Sequence, residues 1–437
     1  NNKSNIDNIL NNLYSWISTL KKINSFWEED LDYKFFTWVE FLEKIKENLE
    51  FFSLNIEKIK NLLWYDKKVT YMIIFQNRDE IRPTWGFMWS VAFISFFKWE
   101  FLEFIPQDIY KLEWDLKEHS EWWIAFNELA PEWINKLTST FWLRDANYFW
   151  DLEKSSEEIK KHISKLEIDL SGILYINQWL VADSLERFWD VYFKDIQTQI
   201  TKDNFSYIIS SLVEAKVSQT HTLSTPKQVL FDFIDDYIEE FILRADYKWY
   251  FSFLLDAISK RDILIYLFEE DLNKFVLDIW LLNKYTFLDY FDFNFPIFTS
   301  ISWNKSDRYI DLSFTKKVDK LDNCNYNTTL QIKTRHNFSL IDEAEIRNFL
   351  TTNNITNLDE FEKLLDIQWK WENKQFLRIL IPKNTIIENS NDYKITDYDN
   401  YKELSFYLNT KRLTTSTKNI SYIILNNECI EYNYNFT

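Results

Sequence analysis

The chain has 437 residues and a formal net charge of −18, with an isoelectric point near 4.9. That length accommodates two or three domains, and the acidic balance argues against non-specific binding to DNA or anionic lipid, both of which need basic patches. No run of 18 or more apolar residues occurs, so the chain as given carries no spanning helix.

Cys324 and Cys429 fit no metal or redox spacing and are read either as one disulfide or as two buried thiols. The four histidines are scattered, which excludes a histidine-rich metal site. No G-x-S-x-G, P-loop, H-E-x-x-H or Cys-His pattern is present, so hydrolysis by a serine nucleophile or by zinc is not expected.

In chain order, Ile6, Ile9, Leu10, Leu13, Ile17 and Leu20 fall at helical spacing, and Phe41, Leu42, Ile45 and Leu49 repeat it. Residues 1–64 therefore read as a helical stalk or hairpin, either packed on the next domain or leading up as a coiled-coil spacer. The stretch from Tyr71 to Tyr110 reads strand, polar elbow, strand, tight turn, strand, with the elbow QNRDEIRPTWGFMWS carrying amide, carboxylate and guanidinium groups. Polar residues clustered at strand ends are where sites tend to sit.

Ala130 and Pro131 open a short helix, and the serines from Ser155 cap a longer one. A strand from Asp169, a helix, turn and strand in QWLVADSLERFWDVYF, a helical stretch from Phe205 to Leu255, and a strand at Ile263 to Leu267 follow. Such alternation predicts a largely parallel or mixed sheet with helices on its faces over 65–295. From 296 to 437 short alternating segments predict a β-sandwich, with a small helical insert around Asp342 to Leu365. The fold class is thus α/β plus β: stalk, mixed α/β/α domain, sandwich.

Two compositional counts are out of proportion. A globular chain of this size should hold roughly 30 glycines, about 7%; this one holds 2, with 20 tryptophans. Together they make 22, close to an ordinary glycine content. The reading adopted is that UGA codons, decoded as glycine in the source bacterium, stand here as tryptophan. The abundant Asn, Lys, Ile, Phe and Tyr suit an AT-rich genome. FFKWEFLEF needs a residue tolerating φ > 0 between its strands, and Trp64, Trp189 and Trp303 also stand at junctions where glycine is the usual punctuator. Trp16, Trp27 and Trp38 sit in helical patterns that glycine would weaken. The alternative is a truly tryptophan-rich protein with aromatic sugar-binding platforms. Indoles at these turns are expected to be crowded or exposed.

Asn77, Glu80, Arg82, Pro83, Thr84, Gly86 and Ser90 match, in order, an asparagine-bearing strand end, an acid and R-P-T-G-G-F-x-G-S. On these residues the chain resembles the bacterial family called domain of unknown function 4012, with Trp85 and Trp89 where that family has glycine. Asp108 and Tyr110 match its D-I-Y element. Leu143, Arg144, Asp145, Asn147 and Asp151 match L-R-D-x-N-W-x-x-D, and Asn304, Lys305, Ser306 and Asp307 match G-N-K-S-D. The resemblance spans about Tyr65 to Asn384. It implies an extracytoplasmic cell-envelope protein, anchored by a membrane helix upstream of Asn1.

More distantly, the order of elements is similar to that of the LytR-CpsA-Psr phosphotransferases, which move glycopolymers from a polyprenyl-pyrophosphate carrier to the cell wall. That similarity implies Arg82 and Arg144 as pyrophosphate ligands, Asp108 or Asp145 as a Mg²⁺ ligand, and Asn77, Glu80, Asn147, Lys305 and Asp307 as further ligand-binding residues. Arginine and carboxylate beside glycine turns suit such chemistry, although they also serve as structural ion pairs that fix loops. Two functional classes stand: an envelope phosphotransferase, in which Arg82, Arg144 and Asp108 or Asp145 converge in one cleft, and a non-catalytic envelope assembly or binding protein.

Overall fold

A computed structural model describes residues 67–98, 100–119, 140–220, 247–278, 292–301, 304–322, 324–352 and 365–425, with scattered positions elsewhere. The long apolar runs read from the sequence form β1 (Val69–Asn77), β2 (Phe87–Phe97) and β3 (Glu100–Asp108), an antiparallel meander. Helix α1 (Ile109–His119) and a 3₁₀ segment (Leu143–Tyr148) lead into α2 (Leu152–Ile163), which returns the chain to β4 (Gly172–Asn177). This crossover makes β4 parallel to β1. After α3 (Gln178–Arg187), the small hairpin β5 (Val191–Phe193) and β6 (Thr198–Ile200), α4 (Lys202–Thr220) and α5 (Tyr247–Ser259), strand β7 (Ile263–Leu267) joins antiparallel to β4. Helix α6 (Glu270–Asp278) follows.

The five-stranded sheet has the order β3-β2-β1-β4-β7. It is mixed: β1, β2 and β3 form an antiparallel meander, the helical crossover after β3 brings β4 in parallel to β1, and β7 returns antiparallel to β4. Met72, Ile74, Val91, Phe93, Ile173 and Tyr175 pack with Leu112, Leu116, Ile159 and Ile163 of α1 and α2 in one core. A second core gathers α3, α4 and the β5–β6 hairpin around Phe193, Phe205 and Phe233.

The C-terminal part consists of β8 (Phe295–Ser300), β9 (Ile310–Lys320), β10 (Tyr326–His336), α7 (Leu340–Thr352), β11 (Asn373–Pro382), β12 (Thr385–Ile387), β13 (Lys394–Asp397), β14 (Tyr401–Thr410) and β15 (Thr415–Ile424). Two antiparallel sheets, β12-β15-β10-β9 and β13-β14-β11-β8, face each other over one core of Leu330, Ile332, Leu377, Ile379, Leu404 and Ile420. The alternation at period two is what this arrangement requires. The insert α7 leaves the sandwich and packs Ile346 and Phe349 into the helical core of α3 and α4, so the two halves share apolar contacts.

One expectation changes. The cap of α2 is Asp151, whose Oδ1 accepts from Glu153 N at 3.0 Å and Lys154 N at 3.5 Å; Ser155 lies inside the helix and donates to Phe149 O. The acid one position ahead of the helix reaches the open amides, which a residue within it cannot. At the β2–β3 turn Lys98 has φ 50°, and Trp99, where the sequence asks for a residue tolerating φ > 0, lies outside the described residues. So do most of the expected stalk and Trp16, Trp27, Trp38, Trp64 and Trp303. Of the first 64 residues, Leu10 and Ile17 are buried and Ser53 Oγ donates to Asp7 Oδ1 at 2.5 Å.

Cys324 is disulfide-bonded; the other cysteine of the chain, Cys429, lies outside the described residues. Alkylation of the denatured protein without reductant is therefore expected to add no mass, and alkylation after reduction to add two groups. Two adducts without reductant would show free thiols.

Candidate functional site

The polar elbow between β1 and β2 sits at the carboxyl end of β1, beside the carboxyl end of β4. It is held from within. Asn77 Oδ1 accepts from Asp79 N at 3.0 Å and from Gln178 Nε2 at 2.7 Å. Thr84 Oγ1 lies 2.6 Å from Gln76 Nε2 and 2.8 Å from Asn147 Nδ2, which also donates to Gly86 O at 2.8 Å. A Cβ on Gly86 would come within 2.9 Å of the Asn77 carbonyl carbon and oxygen, so no larger residue fits this close approach.

Of the two departures from the resembled motif, Trp85 occupies a backbone position of the glycine kind. Trp85 has φ 82° and is 37% exposed, in the left-handed region that costs a residue with a Cβ about 1–2 kcal/mol. Trp89 is the extra residue of a β-bulge: Phe75 pairs with Ser90 and Gln76 with Met88. Glycine in a strand often marks such a bulge. The indole of Trp89 is nevertheless buried in the α3–α4 core, against the expectation that it would be crowded out or exposed.

Beside the elbow lies a buried charge network. Arg82, 2% exposed, donates to Ser300 O at 2.8 Å and to Glu80 Oε1 at 3.0 Å, and its guanidinium stands 3.7 Å from Asp145 Oδ1. Arg144 donates from its backbone N to Glu113 Oε1 at 2.8 Å and from its guanidinium to Oε2 at 2.7 Å, with its Nε 3.9 Å from Asp145 Oδ2. Its guanidinium also lies over the rings of Tyr110 and Trp142. Asp307 accepts from Ile81 N at 2.8 Å, from Asn373 Nδ2 at 2.6 Å and from Gln375 Nε2.

Burial sets the acidity of these groups. It raises Glu80, against the pull of Arg82 and Lys305, and raises Asp145, against Arg82 and Arg144. Burial pushes Glu113 up to about 7 despite Arg144, and Asp307 up to about 7 despite its hydrogen bonds.

The structure thus brings Arg82, Arg144, Asp145 and Glu80 together, with Lys305 within electrostatic reach of Glu80. Arg144 and Asp145 face protein partners, and Asn77, Asn147, Glu80 and Asp307 bond elbow or strand groups, while Arg82 and Asp307 also line open space. Asp108 does local work, its Oδ1 accepting from Tyr110 N at the start of α1. Of the two predicted Mg²⁺ ligands, Asp145 is flanked by the guanidinium groups of Arg82 and Arg144, and Asp108 uses one carboxylate oxygen on the start of α1.

The open space lies next door. Three adjoining depressions run along the carboxyl ends of β1 and β4, where the sheet meets β8 and β9. One of about 330 Å³ is lined by Arg78, Arg82, Trp85, Arg261, Phe298 and Phe314 among others. The next, about 290 Å³, shares Arg78, Ile81, Phe298 and Leu312 with it and adds Asp79, Trp179, Asp307 and Arg308. The third, about 170 Å³, adds Ser206 and Lys202. Ligands of open α/β sheets bind outside the carboxyl ends of the strands.

Within this groove Arg78 is exposed, lies over the Trp179 ring, and makes no hydrogen bond among the described residues. Asp79, 1% exposed, accepts from Ser206 through Oδ2, while its Oδ1 has no hydrogen-bond partner. Arg78, Asp79 and Trp179 escaped the sequence reading, which weighted residues shared with the motif. The signal for them was position, immediately after the strand ends at Asn77 and Asn177.

No family model, curated protein or solved structure matches this chain.

Two outcomes check the backbone and charge assignments. Trp85→Gly should stabilise the fold by about 1 kcal/mol in urea unfolding, whereas Trp89→Gly should cost about 3 kcal/mol through the lost indole; the reverse order would contradict the structure. An acid whose folded pKa is raised contributes full stability below its unfolded pKa of about 4 and loses it as pH rises toward 7. Asp307→Asn should therefore reduce the fall in unfolding free energy between about pH 4 and pH 7, and an undiminished slope would refute the assignment.

Proposed function

We propose that this is an extracytoplasmic envelope protein that binds a phosphorylated amphiphile of the polyprenyl-phosphate glycopolymer class, in the groove at the carboxyl ends of β1 and β4. One observation carries the reading: the groove sets Arg78, Arg261 and Arg308 beside an apolar wall of Phe298, Leu312 and Phe314. Guanidinium groups pair with phosphate bidentately, and the apolar wall suits a lipid tail. The disulfide at Cys324 supports an oxidising compartment. The motif resemblance to domain of unknown function 4012, the LytR-CpsA-Psr-like arrangement and the N-terminal stalk belong to this proposal. So does glycine at Trp85 and Trp89, which the positive φ supports at Trp85.

In a transfer reaction the acceptor hydroxyl would attack phosphorus, its proton passing to Asp79 Oδ1 as the bond to the lipid phosphate breaks. Asp79 lines the groove, and its buried Oδ1, which has no hydrogen-bond partner, is the oxygen left to take the proton. A second reading, a non-catalytic binding or assembly protein, is favoured by the internal pairing of Arg82 and Arg144.

The test uses farnesyl pyrophosphate as a soluble probe in calorimetry. Arg78→Ala and Arg308→Ala should each weaken binding by about tenfold, from the loss of one charge-assisted contact. Unchanged affinity in both variants would rule out the groove. Asp79→Asn should leave binding in place while abolishing transfer to a polymer acceptor; binding without transfer by the unaltered protein would select the second reading.

A further inference from the structure

The outermost strand of the five-stranded sheet is unlike the others. β3 is an edge strand, and Phe101, Leu102, Phe104 and Ile105 on it are between 40% and 59% exposed. Phe104 and Ile105 pair in regular register with Ile94 and Phe93, so their side chains point to opposite faces of the sheet. Both faces of the strand therefore present large apolar groups to solvent. Trp114, on the helix that follows, is 55% exposed.

A surface made to dock a folded protein buries one face of a sheet or adds a strand to its edge. A strand apolar on both faces is better matched to a medium that surrounds it. The charges nearby are mixed, Lys68, Lys98, Lys111 and Lys117 standing among Glu100, Glu103, Asp108, Glu113, Asp115 and Glu118, so this side offers no basic patch to draw anionic headgroups. Lys98 lies over the Phe97 ring and Lys117 over the Trp114 ring, an arrangement of aromatic and lysine side chains suited to a headgroup boundary. Contiguous apolar exposure of this kind marks an interaction site.

We propose that the β2–β3 hairpin edge inserts into the outer layer of a lipid bilayer as an interfacial wedge, driven by apolar burial rather than by attraction to anionic headgroups. This surface is separate from the groove, which soluble probes test by themselves.

The experiment is co-flotation of the full chain with phosphatidylcholine vesicles, alongside vesicles containing phosphatidylglycerol. The chain should float with phosphatidylcholine, and the double variant Phe101→Glu, Leu102→Glu should lose at least about tenfold in binding while keeping its thermal unfolding transition. Should that variant misfold, hydrogen exchange on the unaltered chain decides the matter, because amides of 100–105 should gain protection only when vesicles are added. No flotation, flotation only with phosphatidylglycerol, undiminished binding by a folded variant, or the same protection from self-association without lipid would each overturn the proposal.

Discussion

Arg82 ties the molecule together. Its guanidinium is withdrawn from water and bonded at once to Glu80 of its own elbow, to the carbonyl of Ser300 at the end of β8, and electrostatically to Asp145 of the 3₁₀ segment. Ser300 N in turn donates to Ile81 O at 2.9 Å, and Asp307 receives Ile81 N. Desolvating so many charges is costly, and the attraction between them offsets that cost only when every partner is present. The network therefore specifies one way for the sheet and the sandwich to meet. Remove the guanidinium and Glu80 and Asp145 lose the cation they share, keeping only Lys305 and Arg144 at their far sides.

That junction creates the groove. Because the elbow is pinned to β8 and Asp307, the edges of β8 and β9 stand opposite the ends of β1 and β4, leaving a channel between them. Charges within the network are paired with protein groups; at its margin Arg78 is exposed to the channel and the buried Asp79 lies in its wall. Neighbours in sequence thus divide the work. Glu80 and Arg82 hold the walls in place, while Arg78 and Asp79 stand where a ligand would lie.

Much of the fold was legible because apolar runs and turn residues speak locally. YMIIF, VAFISFF and EFLEFI became β1, β2 and β3 because their runs are short, β-rich and separated by polar turns. The alternating segments after Asn304 became paired sheets because period two buries one face. The start of α2 was misread because two serines resemble a cap as well as Asp151 does, and only the helix geometry decides which oxygen meets the open amides. The motif residues were legible as a cluster, whereas their roles are not legible in a string of letters, where a ligand arginine and a structural arginine look alike.

The sequence by itself determined the strands, the mixed character of the first domain, the sheets of the second and the place of the polar elbow, because backbone propensity and hydrophobic period act over a few residues. Only the tertiary structure decided that Arg82, Arg144 and Asp145 neutralise one another, and that Arg78, Asp79 and Trp179 line an open groove. Burial and pairing depend on which distant segments meet, here β8, β9 and β11 against the end of β1. No local pattern records that meeting.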